Sequence, residues 1–293
     1  MPLRRFQALA AALVAAVLGV TILAANPAAT ASTAAVATWA PAATADLHPG
    51  VQTYTSGGQC TANFVFTDDA GNVYLGQAAH CSGTGAATDT NGCTAGTLPL
   101  GTAVTFNEGG SLISEGTVLG RGTLTYSSWN TMQALGESDA NTCAYNDLAL
   151  VKVAAADVAK VNPTVPFWGG PVGINTTGTV AGDKVYSYGN SSLRFGRTEL
   201  SPKTGVSLGQ DAADGGWTHP LYTASPGIPG DSGSAFLDAN GNALGTLSTL
   251  GLAPLPGSNN IGDLAHELAY AQAHSGIAGL RLVLGTEPFD SSL

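Results

Sequence analysis

The sequence predicts an all-β protein, built as a barrel or sandwich, with a single helix near its C-terminal end. Three observations carry this. From Val51 onward the chain is a succession of short runs rich in β-branched and aromatic residues, each broken by Gly, Asn or Asp. Its 39 glycines supply the turns that closely spaced antiparallel strands require. No strand–helix–strand alternation is present, which sets aside the α/β architectures.

Taken in order, the chain opens on Arg4 and Arg5, an almost unbroken apolar stretch over 6–25, and the small residues Ala29-Thr30-Ala31 before Ser32. This is the pattern of an export signal over 1–31. The apolar stretch is also just long enough to be a retained membrane anchor, but the small-residue site after it favours cleavage, and with it no stable membrane association. Residues 32–50 are rich in Ala, Thr and Pro and lack periodicity, so a flexible leader or short pro-segment is expected there. The remaining 51–293 can bury a sizeable core as one domain or as two packed halves.

Strands are expected at Asn63-Phe64-Val65-Phe66, Val73-Tyr74-Leu75, Ala103-Val104-Thr105-Phe106, Gly116-Thr117-Val118-Leu119 and Leu148-Ala149-Leu150-Val151. More follow at Lys184-Val185-Tyr186-Ser187-Tyr188, Ser234-Ala235-Phe236-Leu237 and 243–248. One hairpin occurs twice: Asp68-Asp69-Ala70-Gly71-Asn72 and Asp238-Ala239-Asn240-Gly241-Asn242 both join apolar runs. The Gly-Asn turns account for these hairpins, and the loops lack the ligand number of a calcium site. The repeat suggests two similar halves, about 51–160 and 174–262, joined by the stretch 161–173. Near the end, Leu264, Leu268 and Ala271 fall on one helical face behind Asp263, a suitable N-cap. A last strand over 280–284 follows.

Composition excludes several function classes. A net charge of −10 with 10% charged residues leaves no basic patch for phosphates, so no nucleic-acid partner is expected. The four cysteines, Cys60, Cys81, Cys93 and Cys143, form an even set after an export signal and are read as two disulfides. Three pairings are possible, with Cys60–Cys81 and Cys93–Cys143 favoured. No C-x-x-C pair or H-x-x-x-H helix argues for zinc, and no metal or cofactor is implied.

The chemistry centres on Gly230-Asp231-Ser232-Gly233-Ser234 after Pro226-Gly227-Ile228-Pro229. A serine between glycines in so irregular a stretch can present its hydroxyl beside inward-facing backbone N–H groups, as a nucleophile requires. It can equally be a plain turn. Of the five histidines, His80 stands apart, because it ends the run Gly76-Gln77-Ala78-Ala79 and Cys81 follows it at once. A base held at a strand end beside a disulfide has the rigidity that proton transfer requires; the bland alternative is a half-buried ring. Asp147, in Asn146-Asp147-Leu148-Ala149-Leu150, enters an apolar strand as a carboxylate that needs a donor, and an imidazole N–H is one. Asn-Asp is also an ordinary turn pair.

Taken together, Gln77-Ala78-Ala79-His80-Cys81, Asn146-Asp147-Leu148-Ala149-Leu150 and Gly230-Asp231-Ser232-Gly233-Ser234 resemble, in order, the three catalytic motifs of the trypsin/chymotrypsin-like serine proteases. The resemblance covers roughly 51–262 and is nearest the secreted bacterial branch. It implies two packed six-stranded antiparallel barrels with a cleft between them, and a monomer acting on protein or peptide substrates. His80 and Asp147 would come from the first half and Ser232 from the second. It further implies Ser232 as nucleophile, His80 as base, Asp147 as orienter, and the N–H groups of Gly230 and Ser232 as oxyanion hole. Cys60–Cys81 would brace the histidine loop, and Ser248 would lie on the strand lining the primary pocket.

The sequence departs from the family in three places. No Ile-Val-Gly-Gly start follows the leader, so Asp231 is expected to be held by an internal cation, with Arg121 as the first candidate over Arg194 and Arg197. The cysteines that usually flank the primary pocket are missing. Pro226 stands where trypsin-like members carry an aspartate, and Leu250 follows Thr249 where Trp-Gly is usual. A tryptic preference is therefore not expected; a small or apolar side chain is. The glutamate-specific branch is not excluded, though no histidine directly precedes Ser248. An α/β-hydrolase using Ser232, Asp263 and His274 fits poorly, since Ser234 replaces the second glycine of the nucleophile elbow and a β-run follows. A catalytically inactive binding relative is the remaining alternative.

Overall fold

The computed structural model describes residues 38–86, 88–111, 113–210, 212–251 and 256–292. The expected export signal lies outside the described residues. Among those described, no helix is long and apolar enough to cross a membrane.

The first half builds strands β1 (Gln52–Thr55), β2 (Gly58–Thr61), β3 (Val65–Thr67), β4 (Val73–Ala78), β5 (Ala103–Glu108), β6 (Thr117–Ser127) and β7 (Leu148–Val153). The second builds β8 (Lys184–Tyr188), β9 (Pro202–Ser207), β10 (Thr218–Thr223), β11 (Ala235–Leu237), β12 (Ala243–Leu250) and β13 (Asn259–Asp263). These six close a barrel in the order β10-β13-β12-β11-β8-β9. The first half is an eight-stranded antiparallel sheet rather than the six-stranded barrel the resemblance implied. Its order is β14-β3-β4-β7-β6-β5-β1-β2, where β14 (Arg281–Leu282) returns from the C-terminus to pair with Phe66 and Thr67.

The hairpin repeat has a local cause in both copies. Asp68 accepts from the Asn72 N–H at 2.8 Å, from Asn72 Nδ2 at 2.7 Å and from Tyr74 Oη at 2.7 Å. Asp238 likewise accepts from the N–H groups of Asn240 and Asn242 at 2.8 and 2.9 Å. Each carboxylate shapes its own turn, and Asp238 also accepts from Asn175 Nδ2 at 2.9 Å.

Apolar alternation feeds a core shared by both halves. Phe64, Phe66, Tyr74, Leu148 and Leu150 pack into one cluster with Tyr186, Leu237, Leu264 and Leu268. The connecting stretch joins this core, with Val165 and Trp168 buried and Trp168 Nε1 donating to the Ser187 carbonyl at 2.7 Å. The leader expectation is corrected over its second half. Leu47 is fully buried, Trp39 packs on the first core, and the Ala40 N–H donates to the Val161 carbonyl at 2.9 Å.

Three helices are present among the described residues. Two lie between β6 and β7, α1 (Ser128–Leu135) and α2 (Ala140–Tyr145), neither expected from the sequence. The third, α3 (Leu264–His274), is the expected one; Asp263 caps it by accepting the His266 N–H at 2.9 Å. Its buried residues are Leu264, Glu267, Leu268 and Ala271, so an acid occupies the core-facing stripe. The disulfides are Cys60–Cys81, tying β2 to the end of β4, and Cys93–Cys143, tying a long loop to α2.

Candidate active site

His80 lies in the short 3₁₀ turn Ala79–Ser82 that ends β4, and Asp147 lies at the entry to β7, the strand paired with β4. This pairing brings the two side chains together. The Asp147 carboxylate accepts three bonds: the His80 backbone N–H at 2.8 Å, His80 Nδ1 at 2.7 Å and Ser248 Oγ at 2.6 Å. A carboxylate that is 4% exposed is thereby satisfied, and Nδ1 is fixed as the donor nitrogen, which turns Nε2 outward as the acceptor. Burial pulls the His80 pKa down, but the charge and hydrogen bond of Asp147 outweigh it and hold the ring above its ordinary value.

Ser232 comes from the loop between β10 and β11. That loop is bolted to the first half: the Thr61 N–H donates to the Ser232 carbonyl at 2.8 Å, and Thr61 Oγ1 and Gln59 Nε2 donate to the Gly230 carbonyl at 2.7 and 2.9 Å. Gly230 has φ +96°, and a Cβ there would collide with Gln59 Oε1, so only glycine allows the approach. The N–H groups alternate in use along the loop. Those of Asp231, Gly233 and Ser234 donate to Ile228, Leu247 and Asp231 carbonyls at 2.8, 2.7 and 3.0 Å. Among the described bonds, those of Gly230 and Ser232 donate to no protein acceptor.

His80, Asp147, Gly230, Ser232, Ser248 and Leu250 all line one cleft of about 920 Å³. The cleft is also walled by Gly227, Ile228, Leu247 and Asn259, with no charged side chain among these four. Asn259 clamps the wall by accepting the Gly227 N–H at 2.8 Å and donating to its carbonyl at 3.1 Å. Leu250 is 49% exposed, so it stands at the rim and does not plug the pocket. Pro226 is not among the residues lining this cleft; its carbonyl accepts from Arg194 Nη2 at 2.8 Å.

Asp231 is fully buried and held by two cations. Its Oδ2 meets Arg194 Nη2 at 2.7 Å and Lys203 Nζ at 3.1 Å, while Oδ1 accepts the Ser191 N–H at 3.0 Å. Of the three candidate arginines, Arg194 is the partner; the Arg121 backbone N–H instead donates to Asp157 at 2.9 Å. Lys203 was not foreseen. Burial pushes its pKa down, with the Asp231 charge opposing and the Arg194 charge adding to the fall. The other histidines are engaged elsewhere: His219 and His266 on Asp263, each at 2.8 Å, His48 with the Pro49 carbonyl, and His274 against Tyr270.

No family model matches the chain, and no curated protein matches it. Solved structures similar to it include proteases. Thermobifida fusca Protease A is 17% identical over 82% of this chain and 99% of its own, with TM-score 0.48. The Nocardiopsis protease is 18% identical over 80% and 98%, with TM-score 0.45. Cellulomonas bogoriensis chymotrypsin is 17% identical over 81% and 98%, with TM-score 0.45.

Proposed function

We propose that the chain is a secreted, monomeric serine endopeptidase that cleaves peptide bonds through an acyl-enzyme, without tryptic specificity. The observation that carries this is the hydrogen-bonded chain Ser248–Asp147–His80 on the same cleft as Ser232, whose own N–H and that of Gly230 have no protein acceptor among the described bonds. Ser232 Oγ attacks the substrate carbonyl carbon while His80 Nε2 takes the hydroxyl proton. The oxyanion is met by these two N–H groups; the C–N bond then breaks, and His80 passes its proton to the leaving amine. Water attacks the ester, gives a proton to His80, and the proton returns to Ser232 as the acid leaves. Asp147 stays ionised throughout and holds the ring. The uncharged wall of Gly227, Ile228, Leu247 and Asn259 supports a small or apolar side chain at the cleavage site.

Labelling with a serine-reactive phosphonofluoridate tests the reading. The folded protein should take up one label at Ser232, and Ser232→Ala or His80→Ala should lower kcat/KM by roughly 10⁴-fold or more with little loss of stability. A folded wild-type chain that neither labels nor cleaves peptides is the inactive binding relative instead.

A further inference from the structure

Behind the proposed triad, on the side away from the cleft, lies an acid that the mechanism does not use. Glu267 sits in the first turn of α3, fully buried, and its Oε1 accepts the backbone N–H of Asp147 at 3.1 Å. Room is made for it: a Cβ on Gly262 of β13 would collide with Glu267 Oε1. Its other oxygen, Oε2, is buried without a hydrogen-bond partner among the described residues. Nor does Glu267 have an ion-pair partner there.

The groups facing it are acidic or neutral. Asp147 lies at the β7 entry, Asp263 at the N-cap of α3, Thr246 on β12 and the Tyr126 phenol on β6. The histidines nearby are committed to the aspartates, His80 to Asp147, and His219 and His266 to Asp263. An anion here would have no cation and two carboxylates for neighbours, with only the Asp147 N–H and the Thr246 hydroxyl to offset its burial. A carboxylic acid needs none of these compensations, and its carbonyl oxygen still accepts the Asp147 N–H.

We propose that Glu267 is a positioning residue, an uncharged carboxylic acid that fixes the Asp147 backbone from behind without adding a second negative charge to the His80–Asp147 pair. The inference rests on Asp147 being the orienter of His80. Burial and the charges of Asp147 and Asp263 push the Glu267 carboxyl well up, beyond what the Asp147 N–H and Thr246 hydroxyl hold down. The Asp147 main chain is gripped on both sides, since its carbonyl accepts the Ala79 N–H at 2.7 Å just before His80. Moving this peptide therefore moves both members of the pair.

The test titrates the His80 ring by NMR in full-length processed protein carrying labelled histidine, beside kcat and KM on a peptide substrate. Glu267→Gln replaces one neutral acceptor by another, so the His80 midpoint should hold within about 0.3 pH units and kcat within about threefold. Glu267→Leu removes the acceptor, and kcat should fall roughly 10- to 100-fold with KM little changed. A fall in the His80 midpoint by about one pH unit or more in Glu267→Gln would show that a charge had been removed and overturn the proposal. Full kcat in Glu267→Leu would overturn the positioning role. If Glu267→Leu does not fold, the Glu267→Gln titration still decides the charge, and Glu267→Met, which also lacks the acceptor, decides the positioning by the same fall in kcat. Because the titration needs no turnover, a wild type without peptidase activity refutes the proposed function while leaving the Glu267 charge readable.

Discussion

Two cations on one buried carboxylate should reveal themselves by their failure to add. Arg194 Nη2 and Lys203 Nζ touch the same oxygen of Asp231, at 2.7 and 3.1 Å, so they stand within about 6 Å of one another. At an effective dielectric of about 20, each attracts the carboxylate by roughly 4 kcal/mol, while the two repel by roughly 3 kcal/mol. Removing either cation alone therefore loses about 1 kcal/mol of net charge interaction. Removing both loses about 5 kcal/mol and leaves Asp231 buried with backbone donors only. The coupling between the substitutions is the repulsion itself, about 3 kcal/mol. Desolvation of each cation and the packing of each stem belong to the single variants and cancel in the cycle. Urea unfolding of Arg194→Met, Lys203→Met and the double variant measures it. Adding Asp231→Asn to the double variant should restore part of the loss, because the orphaned charge is gone. Additive single effects, or a Lys203→Met variant at wild-type stability together with additivity, would refute the picture of two charged partners.

Two further outcomes follow from the site. The His80 pKa is raised in the folded chain, and turnover needs the neutral ring, so the acid limb of kcat/KM should fall above the ordinary imidazole value of about 6.5. By linkage, the stability this pair contributes is fully present below the unfolded pKa and is lost as pH rises through the folded one; activity and this contribution thus run in opposite directions, which a pH–rate profile beside pH-dependent unfolding would show. The disulfides close loops of 21 and 50 residues, and the chain-entropy model gives about 3 kcal/mol for Cys60–Cys81 and about 4 kcal/mol for Cys93–Cys143. Alanine pairs at each bridge should lower the urea midpoint accordingly, and only the first should also lower kcat, since Cys81 adjoins His80.

What could be read from the sequence was what local chemistry decides. The two Asp-to-Asn hairpins, the Asp263 cap and the strand runs each rest on contacts within a few residues, and these came out as expected. His80, Asp147 and Ser232 could be singled out because each sits in a distinctive local setting: a strand end beside a cysteine, a strand entry, a glycine-flanked turn. Helices α1 and α2 are short and half-exposed, with no strong apolar stripe to mark them. The leader is a different failure. Its Ala/Thr/Pro composition reads as loose, yet Leu47 is fully buried between β6 and the chain at 160–162, which no local pattern announces.

Lys203 and Glu267 show where such reading stops. In sequence, Lys203 is one polar residue in an ordinary strand, and Glu267 is the acid in Asp263-Leu264-Ala265-His266-Glu267, a helix start that favours acids anyway. What makes them consequential is distance along the chain: Lys203 meets a carboxylate in the serine loop, and Glu267 meets a backbone N–H 120 residues earlier. A helical wheel does place Glu267 between Leu264 and Leu268 on the buried stripe. An acid in that position costs several kcal/mol if it is ionised without a partner, so its presence on the stripe already asks what it accepts from and whether it is charged. The answer the fold supplies is the Asp147 main chain. The helix that follows the second barrel is thereby joined to the residue that orients the proposed base.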